Sequence, residues 1–166
     1  MPDGTRLARE IEDHGRAVAV LPYDPARGVA LLVEQFRPAA LYAAGTESVL
    51  EVPAGLLDEA DPEEGARREA YEEVGVRLGA LERITCGWSM PGISTEQMDL
   101  FLAPYGTDDR SGPGGGLDAE HENITVHEMP LATLAIMSDT GAITDIKTLL
   151  LVYALRLRHP ELFAAS

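Results

Sequence analysis

Cationic residues are scarce in this chain. Lys and Arg together number 13 against 28 Asp and Glu, so 13 − 28 gives a net charge of −15. They form no cluster long enough to grip a phosphate backbone, which excludes nucleic acid as an expected partner. The single cysteine, Cys86, rules out an intrachain disulfide framework and a thiolate zinc site; it reads as a small buried apolar residue. No run of ~18 apolar residues is present to cross a membrane, and the mixed-charge stretch Met1 to Asp13 lacks a signal-peptide core. The expectation is a soluble, cytoplasmic protein with no membrane partner. With 166 residues, 45% of them apolar, the chain suits one domain over 1–166 with a real core.

The carboxylate surplus would repel a phosphorylated substrate unless divalent cations neutralise part of it. It fits a solubilising surface or a high-salt habitat equally well. Ala17 to Tyr23 and Val29 to Phe36 flank the turn residues Asp24 to Gly28 and read as a β-hairpin. Ser48 to Pro53 is a further strand candidate, ending at Pro53-Ala54-Gly55, where glycine permits a sharp turn or a close approach. Leu81 to Trp88 and Gln97 to Tyr105 read as strands joined by Ser89 to Glu96, a loop suited to lining a pocket. Gly106 to His121, with Gly-Pro-Gly-Gly-Gly at its centre, reads as a mobile functional loop. Asn123 to Met129 alternates like a strand, while Leu131 to Ser138 and Ile143 to His159 have helical spacing. Strands and helices interleave without a βαβ repeat, so the class is α/β in the loose sense, or α+β.

One helix is better marked than the rest. Asp61 can cap it, Pro62 suits its first position, Glu63 and Glu64 complement the dipole, and Gly75 stops it. On the predicted helix Pro62 to Val74, Glu69 and Glu73 lie one turn apart with Glu72 beside them. Such crowding costs free energy unless a cation sits among the carboxylates. An ordinary solvated helix face is the competing interpretation.

The string Gly55 to Val76 decides between them, because Arg68-Glu69-Ala70-Tyr71-Glu72-Glu73-Val74-Gly75-Val76 closely resembles the second half of the Nudix box. The stretch from Gly55 to Arg68 is one residue shorter than the usual pattern, and Asp61 stands where glutamate is common. The resemblance continues through Val33-Glu34-Gln35-Phe36-Arg37, Glu51-Val52-Pro53-Ala54-Gly55 and Ser89-Met90-Pro91-Gly92 with Glu96. These look like the ADP-ribose and nucleoside-diphosphate-sugar branch. Gly114-Gly115-Gly116, Glu120-His121-Glu122, Val126 to Pro130, Ile143 and Asp145 to Leu151 are most similar to the bacterial GDP-mannose pyrophosphatase group.

The resemblance implies a Nudix fold, a mixed β-sheet sandwiched between helices, and hydrolysis of the pyrophosphate bond of a nucleoside diphosphate sugar with magnesium, or manganese, as cofactor. It assigns metal binding to Glu69, Glu73 and Glu122 and to the backbone carbonyl of Ala54, with Glu72 a further or water-mediated ligand. Glu120 becomes the first candidate for general base and Glu122 the second, with Glu72 and Arg68 completing the catalytic set and Arg68 orienting a metal glutamate. Arg37, Glu51, Gly55, Pro91 and Glu96 are expected at the substrate, Arg37 at a phosphate. The implied assembly is a homodimer. Relatives carry an N-terminal β-rich extension that is expected here to be absent or reduced. His121 reads as an exposed bystander, and Trp88 and Tyr42 read as core rather than as stacking platforms. The alternative from another class is a Nudix-fold module that binds a nucleotide without cleaving it.

Overall fold

A computed structural model describes residues 3–57, 61–117 and 122–164. Strands β1 (Arg16–Asp24) and β2 (Val29–Phe36) form the expected hairpin. Asp24 holds its turn, accepting from the amides of Ala26 and Arg27 at 2.9 and 3.0 Å. There follow α1 (Pro38–Ala44), β3 (Ser48–Glu51), β4 (Ala54–Leu56), α2 (Pro62–Val74), β5 (Glu82–Trp88), β6 (Gln97–Pro104), β7 (Ile124–Pro130), α3 (Leu131–Thr140) and α4 (Ile146–Arg158). The capped helix falls where its signals place it. Asp61 accepts from the amide of Glu63 at 3.0 Å, and the amides of Gly75 and Val76 reach back to the carbonyls of Tyr71 and Ala70 at 3.0 and 3.2 Å. The last predicted helix, Ile143 to His159, is shorter than its pattern, starting at Ile146 because Asp145 caps it by accepting from the amide of Thr148 at 2.9 Å.

The strands form one mixed sheet in the order β3-β2-β1-β6-β5, with β7 on the other edge of β2 and β4 added to β1. β1 and β6 run parallel from Arg16 opposite Gln97 to Tyr23 opposite Pro104. β1 pairs with β2 only beside their turn, at Tyr23–Ala30 and Asp24–Val29. Farther along, β1 takes β4 as partner (Ala17–Leu56 to Ala19–Ala54) and β2 takes β3 (Val33–Glu51 to Phe36–Ser48). The hairpin arms therefore part, and the segment from β3 to β4 occupies the opening.

Alternation along β1 sends side chains to both sheet faces, and both are covered. Ala19 and Leu21 join Leu100 and Leu102 beneath Leu131 and Leu134 of α3 and Leu151, Val152 and Leu155 of α4. Val18 and Val20 join Leu31 and Phe101 beneath Ala66, Ala70 and Val74 of α2. The small alanines bring α2 close to the sheet. Helices on both faces of a mixed sheet match the expected α/β sandwich. The structure also corrects the reading of Cys86, which is exposed. Its strand β5 closes one end of the strand order, so side chains there have a neighbouring strand on one side only.

The glycine-rich segment is the main departure. As far as Leu117 it is tied down, beginning with a 3₁₀ turn at Thr107–Asp109. The amides of Ser111 and Gly112 donate to Gly75 O at 2.9 and 3.0 Å, and those of Gly115 and Gly116 to Glu73 O and Glu72 O at 2.8 and 3.1 Å. These carbonyls are orphans of the α2 C-terminus, and the segment satisfies them like a strap. Glycine is needed at 114, where φ is +66° and a Cβ would lie 2.5 Å from Glu73 O. The glycines serve close approach rather than mobility. Residues 118–121 lie outside the described residues.

Candidate active site

α2 turns Glu69 and Glu73 inward, so that only 6% and 2% of their surfaces are exposed. Glu73 Oε2 accepts from the amide of Ala54 at 3.1 Å. Ala54 lies opposite Ala19, next to the Val20–Pro53 hydrogen bond of 3.0 Å, so its polar groups point away from β1. A strand residue's carbonyl points the same way as its amide, which aims Ala54 O toward the carboxylate as well. Glu69 packs onto Gly55, where a Cβ would overlap its carboxylate. That close approach accounts for glycine at 55. Arg68 contacts Glu69 Oε1 at 2.8 Å and Glu72 Oε2 at 2.9 Å, and donates to Leu56 O at 3.0 Å. One guanidinium thus orients a carboxylate on each side of it and ties α2 to β4.

The pair is short of compensating charge. Burial, with Glu72 and Glu122 adding repulsion and Arg68 opposing it, pushes the Glu69 carboxyl up to about 7. Glu73 rises to about 8 through burial and the charges of Glu69 and Glu122, against the Ala54 amide and Arg37. Glu122 packs on Gly116, and its Oε2 accepts from the amide of Leu117 at 3.0 Å. Among the described residues, no three acidic, histidine or cysteine side chains converge as a ready-made metal cluster. The donor set nevertheless fits a hard divalent cation, since buried carboxylates that repel one another and a directed carbonyl are what such an ion takes.

Beside β4 lies a cavity of about 750 Å³, bordered by Ala54, Gly55, Leu56 and Glu122. Arg37, Glu51, Asp145 and Lys147 line it as well. Arg37 is not a free phosphate ligand, because its Nε and Nη2 donate to the two oxygens of Glu51 at 2.6 and 3.0 Å. Lys147 also contacts Glu51, and meets Asp145 Oδ1 at 3.0 Å. Burial raises the Glu51 carboxyl, yet the Arg37 hydrogen bonds and Lys147 outweigh it and hold the group below its usual range. Glu51 is therefore an anion that presents two cations to the cavity. Farther along are Glu96, with Oε2 3.2 Å from His14 Nε2, and Trp88, Ser89 and Met90.

Most of the residues singled out by sequence come together. Arg37, Glu51, Ala54, Gly55, Glu96 and Glu122 border the cavity, and Glu69, Glu73, Arg68 and Glu72 stand behind β4. Pro91 does not line it, although its loop neighbours Ser89 and Met90 do. Glu120 and His121 lie outside the described residues. Sequence reasoning missed Lys147, whose only signal was its place two residues after a helix cap, and His14, which had none. The aromatics also differ from expectation. Trp88 lines the cavity with 55% of its surface exposed, and Tyr42, 95% exposed, is away from the cavity lining.

The comparisons with known proteins agree with a capped helix of inward glutamates, a glycine packed against one of them and a cavity that this glycine borders. Residues 13–149 match the NUDIX domain, and the chain belongs to that family. It is 40% identical over 149 residues to the GDP-mannose pyrophosphatase of Pectobacterium atrosepticum, covering 89% of this chain and 76% of that protein. With the GDP-mannose pyrophosphatase of Cronobacter sakazakii it shares 40% identity over 154 residues, 92% of this chain and 80% of that protein. With that of Escherichia coli O157:H7 it shares 37% over 156 residues, 93% and 80% respectively.

Proposed function

We propose that this Nudix pyrophosphohydrolase cleaves the pyrophosphate of GDP-mannose or a close nucleoside diphosphate sugar, giving a nucleoside monophosphate and a sugar phosphate. The observation that carries the reading is one cavity bordered both by Ala54, Gly55 and Glu122, with Glu73 and Glu69 directly behind Ala54 and Gly55, and by the Arg37–Glu51–Lys147 cluster. A pyrophosphate needs positive charge on its oxygens and a nucleophilic water held in line. Glu69, Glu73, Glu122 and the Ala54 carbonyl would hold magnesium, with Glu72 as a further ligand, and the ion supplies charge to the phosphate oxygens. Arg68 keeps Glu69 and Glu72 in place, and Arg37 and Lys147 bind the phosphates. Water attacks one phosphorus, the bridging P–O bond breaks, and a loop carboxylate takes the water's proton. Glu120 is the first choice for that base and Glu122 the second.

No helix among the described residues is long and apolar enough to cross a membrane. The same reading includes a homodimer, for which the exposed apolar residues Ile146, Tyr153 and Leu157 of α4 offer a surface; sedimentation checks it. The function is tested by incubating the protein with magnesium and GDP-mannose, ADP-ribose, UDP-glucose or a dinucleoside polyphosphate and identifying products. GDP-mannose should give GMP and mannose 1-phosphate. Saturable binding without turnover of any substrate would instead identify a non-catalytic nucleotide-binding module.

A further inference from the structure

Trp88 closes β5 and sits opposite Gln97 of β6. It is the chain's only tryptophan, and 55% of its surface is exposed where it lines the cavity. A row of paired residues runs from Leu56 of β4 through Ala17 of β1 and Met98 of β6 to Gly87 of β5. The row crosses three strand spacings, roughly 14 Å in all, and the β5 residue at its end adjoins Trp88. The distance suits a nucleoside monophosphate lying along the sheet from the carboxylates to the indole.

The two ends of the cavity differ in chemistry. On the side of β2 and the residues leading into α4 it offers the polar groups of Gln35, Thr144 and Asp145, which match sugar hydroxyls. Toward β5 it offers Trp88 with the thioethers of Met90 and Met98, which match a flat aromatic ligand. Burying the face of an exposed indole against a base removes apolar surface from water and is tolerant of base identity. We infer that Trp88 is the stacking platform for the nucleobase, with the sugar lodged toward α4. The inference rests on the nucleotide-sugar reading above and names which end of that substrate meets β5.

A lone tryptophan makes the test direct. Intrinsic fluorescence of the whole protein is titrated with GMP and separately with mannose 1-phosphate, corrected for guanine absorbance. GMP should change the emission saturably and mannose 1-phosphate should not. Trp88→Ala should raise the KM for GDP-mannose by about 5- to 150-fold, the range for losing one base stack, with kcat within a few-fold. Trp88→Phe should fall between the variant and the parent. The assignment is overturned if GMP inhibits turnover competitively without altering emission, if mannose 1-phosphate alone alters it, or if Trp88→Ala leaves KM unchanged. Failure of the wider reading looks different, since no nucleotide sugar would be hydrolysed while the response to GMP would still judge Trp88 on its own.

Discussion

Removing the negative charge of Glu73 should stabilise the cation-free protein at alkaline pH and abolish its response to magnesium. Glu73 is 2% exposed and its carboxyl rises from an ordinary 4.5 to about 8. The folded state therefore holds a proton that the unfolded chain releases, so this contribution is complete below about pH 4.5 and is lost as pH climbs toward 8. At about 1.4 kcal/mol per pH unit, the loss is on the order of 3–5 kcal/mol. For a chain of this size that corresponds to roughly 6–20 °C in Tm. Glu69, raised to about 7, acts in the same direction. Glu51, Glu34 and Glu82 are held below their usual range and contribute the opposite slope only at more acid pH. Thermal melts of parent and Glu73→Gln in chelator, from pH 5 to 8.5, should show the parent falling more steeply and the variant overtaking it near the upper end. Adding magnesium at 100 times its Kd should restore about 2.7 kcal/mol to the parent and little to the variant. Parallel Tm profiles for the two proteins would refute the claim that the carboxylate pair is buried without compensation.

Three further outcomes are expected. Gly55→Ala places a Cβ inside the Glu69 carboxylate, so magnesium affinity measured by calorimetry should drop about tenfold or more, with a stability loss of only ~1–3 kcal/mol; unchanged affinity would show that Glu69 does not bind metal. Arg37→Ala removes both hydrogen bonds to Glu51 and should raise KM more than it lowers kcat, and its stability cost should grow sharply when combined with Lys147→Ala, because the second change leaves buried Glu51 without a cation. Glu120→Gln should cut kcat by roughly 10²–10⁴ with metal affinity preserved, whereas Glu122→Gln should weaken magnesium binding and regain part of its activity at high metal concentration; the reverse pattern would exchange the two roles.

What was legible in the sequence was local. Asp61, Pro62 and Gly75 marked both ends of α2 because capping is decided within a few residues. The Glu69/Glu73 pair was legible because one helix carries both. β4 was not, because three residues are too few to show a period and its existence depends on the parting of β1 from β2. Lys147 was invisible for a similar reason, since it meets Glu51 across 96 positions and nothing near it in the chain announces the pair. Trp88 was read as core because aromatics usually are. Its exposure follows from its place on an end strand beside a cavity, which only the assembled sheet reveals. The glycine-rich stretch was read as freedom of motion, when those residues permit a close approach to α2.

The strap over α2 also governs which length changes the protein can absorb. Its amides meet the carbonyls of Gly75, Glu73 and Glu72 in fixed order, so one residue added between Gly115 and Gly116 would move one of these two donors off its acceptor. The pairing continues upstream past the helix end, where Asp109 O accepts from the amide of Arg77 at 2.9 Å and Arg110 bridges Val76, so length can change without disturbing it only ahead of the 3₁₀ turn at Thr107–Asp109. An insertion after Gly116 leaves the strap intact but changes how far Glu122 lies from its anchor. Loop-length variation in homologous chains should therefore accumulate ahead of the strap, with its own span kept constant.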